Sequence, residues 1–185
     1  MTSAGFALFE TALGCCGIAW NACGLVAVQL PEASDAKTRA RLLRHCPDAK
    51  EMTPPSSVQA AIDDIIALLR GEARDLSAIA LDMAGVPEFD RRVYEVARTI
   101  APGETLSYRD VATRLGDPAA ARDVGQALGR NPFPVIVPRH RVVAAGSRLG
   151  GFSAPGGATT KRRLLAIEAA HAPSLPLFRL GKLTN

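Results

Sequence analysis

Residues 131–143, reading Asn-Pro-Phe-Pro-Val-Ile-Val-Pro-Arg-His-Arg-Val-Val, constrain this chain more than any other stretch. Pro132, Pro134 and Pro138 bracket a short β-branched run, and Arg139, His140 and Arg141 come after the last proline in succession. The run reads as a buried strand that ends at Pro138 and delivers polar side chains from a rigid support. Chemistry is commonly placed in this way.

With 185 residues, the chain can form one large domain or two small ones, each with a real core. A 48% hydrophobic and 22% charged composition describes a soluble globular protein without general disorder. No apolar run approaches a membrane span, and no basic region precedes an apolar core at the N-terminus. Neither a membrane association nor a signal peptide is therefore expected, which leaves the cytoplasm or its nucleoid. The net charge of +4 is unevenly divided: residues 1–88 hold 7 Lys/Arg against 11 Asp/Glu, and residues 89–185 hold 15 against 7. A basic half joined to an acidic half points to a polyanion partner for the C-terminal part.

The cysteines, at 15, 16, 23 and 46, all fall in the first quarter of the chain. Adjacent Cys15 and Cys16 cannot easily pair, and the spacing matches no standard zinc pattern. Reduced thiols packed like small hydrophobes are expected. A zinc site from Cys15, Cys23 and His45 is the alternative. No metal or cofactor is expected.

Residues 6–11, 17–20 and 25–29 read as short strands separated by Gly and Asn turns. A polar helix comes next over 34–45, with Asp35 in its first turn. A second is capped by Ser56-Ser57, carries Val58, Ile62, Ile65, Ile66 and Leu69 on one face, and closes at Gly71. Residues 76–83 add a strand. Gly85-Val-Pro87 interrupts two periodic segments and marks a boundary. Beyond it, Phe89, Val93, Val96, Ala97 and Ile100 form one helical face.

Ser107 then caps a helix ending at Gly116, and Asp117-Pro118 starts another that runs to Gly129. Two short helices joined by a tight Gly-containing turn form a helix-turn-helix pattern. Ala119, Ala120 and Ala121 at the head of the second helix would let its backbone approach a nucleic acid closely, with Arg122 projecting beyond them. Arg109, Arg114, Arg130, Arg141 and Arg148 favour phosphate contact. A last helix spans 159–171, with Leu164, Leu165 and Ile167 inward. The fold class is α+β: a small N-terminal α/β domain (1–86), a mostly helical domain with a helix-turn-helix (87–172) and a C-terminal tail (173–185).

Pro138-Arg-His-Arg141 closely resembles the Pro-Cys-His-Arg signature of the O6-alkylguanine-DNA alkyltransferases. From about Phe89 to Glu168 the chain is similar to that family's C-terminal domain in order and spacing. The N-terminal part is similar in type, through Thr11-x-x-Gly14 and Gly24-Leu-Val-Ala-Val28. The resemblance implies that Tyr108 crowds a phosphate and helps rotate a nucleotide outward, and that Arg122 fills the vacated place in the base stack. It also implies that Ala119 to Gly125 lie on a recognition helix in the minor groove. Asn131 would brace the active-site turn. Pro134, the Val142 main chain, Phe152 and Ser153 would line a pocket for the flipped guanine, and His140 and Glu168 would be the remnant of a proton relay.

Arg139 stands where that family has its alkyl-accepting cysteine. A guanidinium is protonated at physiological pH, has no usable lone pair and is bulkier than a thiol. The chain thus resembles the alkyltransferase-like proteins, which lack the cysteine. That resemblance implies a monomer, not an enzyme, that binds and flips O6-alkylguanine in double-stranded DNA and flags it for nucleotide excision repair. Two alternatives stand beside it. One is a methyltransferase acting through another cysteine or inactivated at Arg139, and the other is a non-specific helix-turn-helix DNA-binding module. A buried Arg139 needs a partner, and Glu168 is the expected one unless the guanidinium projects into the pocket.

Overall fold

The chain begins with a tight hairpin. In the computed structural model, which describes residues 4–146 and 156–170, β1 (Gly5–Thr11) pairs antiparallel with β2 (Gly14–Trp20). Thr11 shapes the turn: its hydroxyl donates to the Gly14 carbonyl at 2.8 Å and accepts from the Leu13 amide at 3.1 Å. β3 (Leu25–Gln29) pairs antiparallel with β2, and a two-residue β4 (Lys50–Glu51) adds in parallel to β1, giving the order β3-β2-β1-β4. The sequence reading has no β4, because two exposed charged residues carry no strand signal.

Two helices accompany the sheet. α1 (Asp35–Leu42) is shorter than the expected 34–45 and is capped by the Ser34 side chain, which accepts from the Lys37 amide. α2 (Ser56–Leu69) buries Val58, Ile62, Ile65 and Leu69 as expected, and Gly71 at φ +96° lies just past its end. Its N-cap is Pro55, so Ser56 and Ser57 lie inside the helix and do not cap it.

Residues 76–83 do not form a strand. They meet the sheet only at an isolated parallel bridge between Leu25 and Leu81. Gly24 permits that approach, since a Cβ there would lie 2.7 Å from the Ala80 carbonyl oxygen. The chain then turns away at Asp82, whose carboxylate accepts from Asn21 Nδ2 at 2.6 Å and from the Ala84 amide at 3.0 Å. Arg98 holds the same segment from the other side, donating to the carbonyls of Leu76, Ser77 and Ile79.

The C-terminal half contains α3 (Glu88–Arg98), β5 (Leu106–Ser107), α4 (Tyr108–Arg114), α5 (Ala121–Gly129), β6 (Val142–Val143) and α6 (Gly157–Ala169). β5 and β6 form a short parallel pair. Asp117 caps as expected, accepting from the Ala119 amide, but Pro118–Ala120 is a 3-10 turn and the α-helix starts only at Ala121. α6 begins two residues before the expected 159, while His171 and the tail 173–185 lie outside the described residues. One continuous core takes in Ile18, Trp20 and Ile65 from the first half with Val93, Val124, Phe133 and Leu164 from the second. A backbone bond from the Val28 amide to the Pro132 carbonyl at 2.8 Å joins the sheet to the proline-rich stretch.

Candidate functional site

The stretch 131–141 is a braced turn, not the expected strand. Val135 sits at φ +75°, the left-handed region that a β-branched residue seldom adopts. Such a residue costs about 1–3 kcal/mol. Asn131 compensates from both ends: its Oδ1 accepts from the Phe133 amide at 2.8 Å and its Nδ2 donates to the Val137 carbonyl at 3.0 Å. The Val137 amide also closes onto the Phe133 carbonyl at 2.8 Å. Val135, Ile136 and Val137 are all buried, each contributing about 2 kcal/mol, which outweighs the strain. Residues Arg139–Arg141 then form a 3-10 turn in which His140 and Arg141 are buried and Arg139 is half-buried.

His140 and Arg141 turn inward to Glu168 on α6. His140 Nε2 lies 2.7 Å from Glu168 Oε1, and Arg141 donates from Nε and Nη2 to the same carboxylate at 2.8–3.2 Å. Arg141 Nη1 reaches the Ile100 carbonyl at 2.6 Å, and the Gly103 amide donates to Glu168 Oε2 at 3.3 Å. Burial alone would raise the Glu168 pKa, but the hydrogen bonds and charges of His140 and Arg141 carry it down to about 2. For His140, burial dominates and lowers the pKa.

Arg139 faces the other way. It does not pair with Glu168, contrary to expectation, because that carboxylate is occupied by His140, Arg141 and Gly103. Its guanidinium is half-buried; burial lowers its pKa, and Tyr108 opposes that shift. Beneath the same tyrosine lies Lys161, fully buried, with Nζ 5.9 Å from the ring centroid and 2.6 Å from the Val142 carbonyl oxygen. Burial first, and then the charge of Arg139, bring the Lys161 pKa down to about 8. The Val142 main chain is thus held by a lysine that sequence reasoning missed. On α6 the buried positions are Lys161, Leu164 and Glu168, whereas Leu165 and Ile167 are only half-buried. A charged residue three before a buried leucine and seven before Glu168 is the available signal.

Asn131, Pro134 and Arg139 line a cleft of about 250 Å³ with Val28, Arg41 and His45 from the first half. Phe152, Ser153 and Arg148 lie outside the described residues.

α4 and α5 form the expected helix pair. Ser107 and Asp110 make a reciprocal capping box at the start of α4, which fixes the next residue, Tyr108. Its ring lies near Gly125 on α5, where an added Cβ would come within 3.7 Å of it. Ala119 and Arg122 are exposed, and Ala121 and Gly125 are half-buried. Ala120 is buried in the core, so its side chain is not a surface contact. Arg130 makes a two-point ion pair with the buried Asp90 at 2.8 and 2.9 Å, so its guanidinium is already engaged within the fold.

All four cysteines are free thiols. Cys16 and Cys46 are buried as expected, Cys15 is half-buried and Cys23 is exposed. Burial, followed by Asp35 and Glu10, pushes Cys15 up to about 11, and burial pushes Cys16 up to about 12. Among the described residues Cys15 converges with Glu10 and Asp35, not with Cys23 and His45.

Comparison with known proteins places this site. Residues 88–170 match the model of the 6-O-methylguanine DNA methyltransferase, DNA binding domain. The chain is 43% identical over 125 residues to the methylated-DNA–protein-cysteine methyltransferase of Mycolicibacterium paratuberculosis, covering 67% of this chain and 73% of that protein. It is 40% identical over 145 residues to the protein of the same name from Mycobacterium bovis, covering 76% and 86%. The crystal structure of the Mycobacterium tuberculosis O6-methylguanine methyltransferase superposes with a TM-score of 0.73 at 31% identity, over 93% of this chain and 96% of that one. Its complex with DNA superposes with a TM-score of 0.72 at 32% identity, over 92% and 96%. Among the described residues, no helix is long and apolar enough to cross a membrane. These relatives overturn the expectation, drawn from Arg139, of a protein that is not an enzyme: they are named as methyltransferases, and this chain carries four free thiols. The chain belongs to the O6-methylguanine DNA methyltransferase family, a family of DNA-binding, DNA-repair alkyltransferases.

Proposed function

We propose that this chain recognises O6-alkylguanine in duplex DNA, presenting α4 and α5 to the minor groove and receiving the rotated base beside residue 139. Arg122, exposed near the start of α5, occupies the gap left in the base stack, and Tyr108 crowds the adjoining phosphate. One observation carries this reading: the Tyr108 ring joins both parts of the site, lying near Gly125 on α5 and over Lys161, whose Nζ donates to the Val142 carbonyl just past the 139–141 turn. A base rotated past α5 would then arrive beside the turn that carries residue 139. Residue 139 offers no nucleophile. Transfer of the alkyl group, the activity its relatives are named for, then needs one of Cys15, Cys16, Cys23 and Cys46. Cys23 is the exposed thiol, and burial raises the pKa of each of the other three.

The test pairs two readouts on one sample. Fluorescence anisotropy compares a duplex holding a single O6-methylguanine with the same duplex holding guanine, and intact-mass and peptide mass spectrometry track the incubated protein. Tighter binding of the lesion duplex is expected. Equal affinity for the two would leave only a helix-turn-helix module with general DNA affinity. A mass gain of one methylene, mapped to a cysteine peptide, identifies the acceptor thiol.

A further inference from the structure

We infer that the ion pair between Asp90 and Arg130 is a positioning device: it fixes α5 against the turn that follows it, and so sets lesion discrimination without adding to general DNA affinity. This inference rests on the lesion-binding reading and assigns its selectivity to one ion pair. The carrying observation is where that pair sits. Asp90, in the first turn of α3, is 2% exposed, and both of its oxygens accept from Arg130, Oδ1 from Nη2 at 2.8 Å and Oδ2 from Nε at 2.9 Å. Arg130 is the C-cap of α5 and also the residue before Asn131, whose side chain braces the following turn. It lines the cleft together with Pro134 and Arg139. The pair thus grips the chain at the point where the second helix of the helix pair hands over to the turn carrying residue 139. One turn further along α3, Tyr94 is buried and donates from its hydroxyl to the Ala127 carbonyl at 3.0 Å. α3 therefore holds the end of α5 at two points.

This geometry differs from that of an arginine kept for phosphate. A phosphate contact needs a guanidinium free to leave the fold. Nε and Nη2 of Arg130 are instead committed together to a buried carboxylate that pairs with no other cation among the described residues. Releasing Arg130 to DNA would leave that buried charge uncompensated. Each partner also sits where its helix dipole favours it, the acid at the start of α3 and the base at the end of α5. A rotated base has to find residue 139 at a fixed offset from α5, and small displacements of supporting residues loosen such a site. A plain duplex, which places no base in the cleft, makes no such demand.

The experiment measures anisotropy with an O6-methylguanine duplex and the matching guanine duplex over a series of salt concentrations. The variants are Arg130→Met, Arg130→Lys and the double exchange of Asp90→Leu with Arg130→Met. The double variant leaves no unpaired buried charge and so guards against simple unfolding, and thermal melts establish which variants are folded. Each folded variant should bind plain duplex within about twofold of the parent, keep the slope of affinity against salt, and lose at least about fivefold in lesion preference. Lysine should fail with methionine because it keeps the charge but lacks the two-point fork. A slope reduced by about one in Arg130→Met, with both duplexes weakened equally, would make Arg130 a phosphate contact and overturn the inference. A folded double variant that keeps the parental preference would overturn it too, and lesion recognition would stand. A parent chain that binds both duplexes equally removes the lesion-binding reading itself and this inference with it.

Discussion

The 3-10 turn at Arg139–Arg141 separates two polar centres that share an address and differ in how their charge is managed. On one side, Arg141 and His140 meet Glu168, and every oxygen of the carboxylate has a donor. On the other, Lys161 lies at the Tyr108 ring and donates to the Val142 carbonyl, close enough for the charge of Arg139 to lower its pKa. The first centre ties α6 to the turn and to Ile100, so its charges are spent on structure. The second holds Lys161 fully buried, with no carboxylate paired to it among the described residues. The first centre is the scaffold, and the second, beside the turn residue proposed to meet the base, is the binding element.

The largest expected effect comes from removing the acid. Glu168→Ala should lower unfolding free energy by about 3–5 kcal/mol, because Arg141 is left buried without its partner. Lys161→Met should be neutral or stabilising by about 1 kcal/mol, since it replaces a desolvated charge with an apolar side chain of similar length. Urea denaturation of both variants checks the pair. Similar losses in the two would break the distinction between scaffold and binding element.

The pH dependence should separate the centres next. Glu168 falls from 4.5 to about 2 in the folded chain, so its contribution is present above pH 4.5 and is lost as the pH drops toward 2. Lys161 falls from 10.5 to about 8, so between pH 8 and 10.5 the unfolded chain holds more protons and stability rises with pH. Each limb amounts to about 3 kcal/mol at most. Melting temperatures across the range should lose the acid limb in Glu168→Gln and the alkaline limb in Lys161→Met. An unchanged acid limb in Glu168→Gln would mean that other carboxylates set acid stability.

How much of this is legible depends on distance along the chain. The Ser107 and Asp117 caps and the apolar face of α2 are written within a few residues, and the sequence reading finds them, whereas it starts the second strand at Gly17 where β2 begins at Gly14. The run at 135–137 reads wrongly as a strand because β-branched residues favour strands locally, while Asn131 and three prolines impose a turn. Pairing Arg139 with Glu168, when Arg141 is the partner, is an error of two positions within one 3-10 turn. Lys161 escapes notice because a lysine reads as surface, and the groups that hold it, Val142 and Tyr108, are far away in sequence. Buried charge is the feature that composition and periodicity describe least.

Asn131→Ala bears on what the two centres share, the turn that orients them both. Loss of its two side-chain hydrogen bonds should cost about 1–3 kcal/mol and leave Val135 less firmly held in its left-handed conformation. Lesion binding should weaken along with stability, because Arg139 leaves this turn. Unchanged lesion binding at reduced stability would show that Arg139 is positioned by Tyr108 alone.

The smallest effect should come from Ser107→Ala, which removes one half of the capping box at the start of α4. A lost serine cap costs about 1 kcal/mol. Ser107 precedes Tyr108 and pairs in register with Val143, so it touches the binding element more closely than the scaffold. Combined with Glu168→Ala, the losses should add to within about 0.5 kcal/mol, as for sites without shared partners. Combined with Arg139→Met, they should fall short of additivity in lesion binding, because both act through Tyr108. A large coupling with Glu168→Ala would show instead that the two centres respond as one unit across the turn.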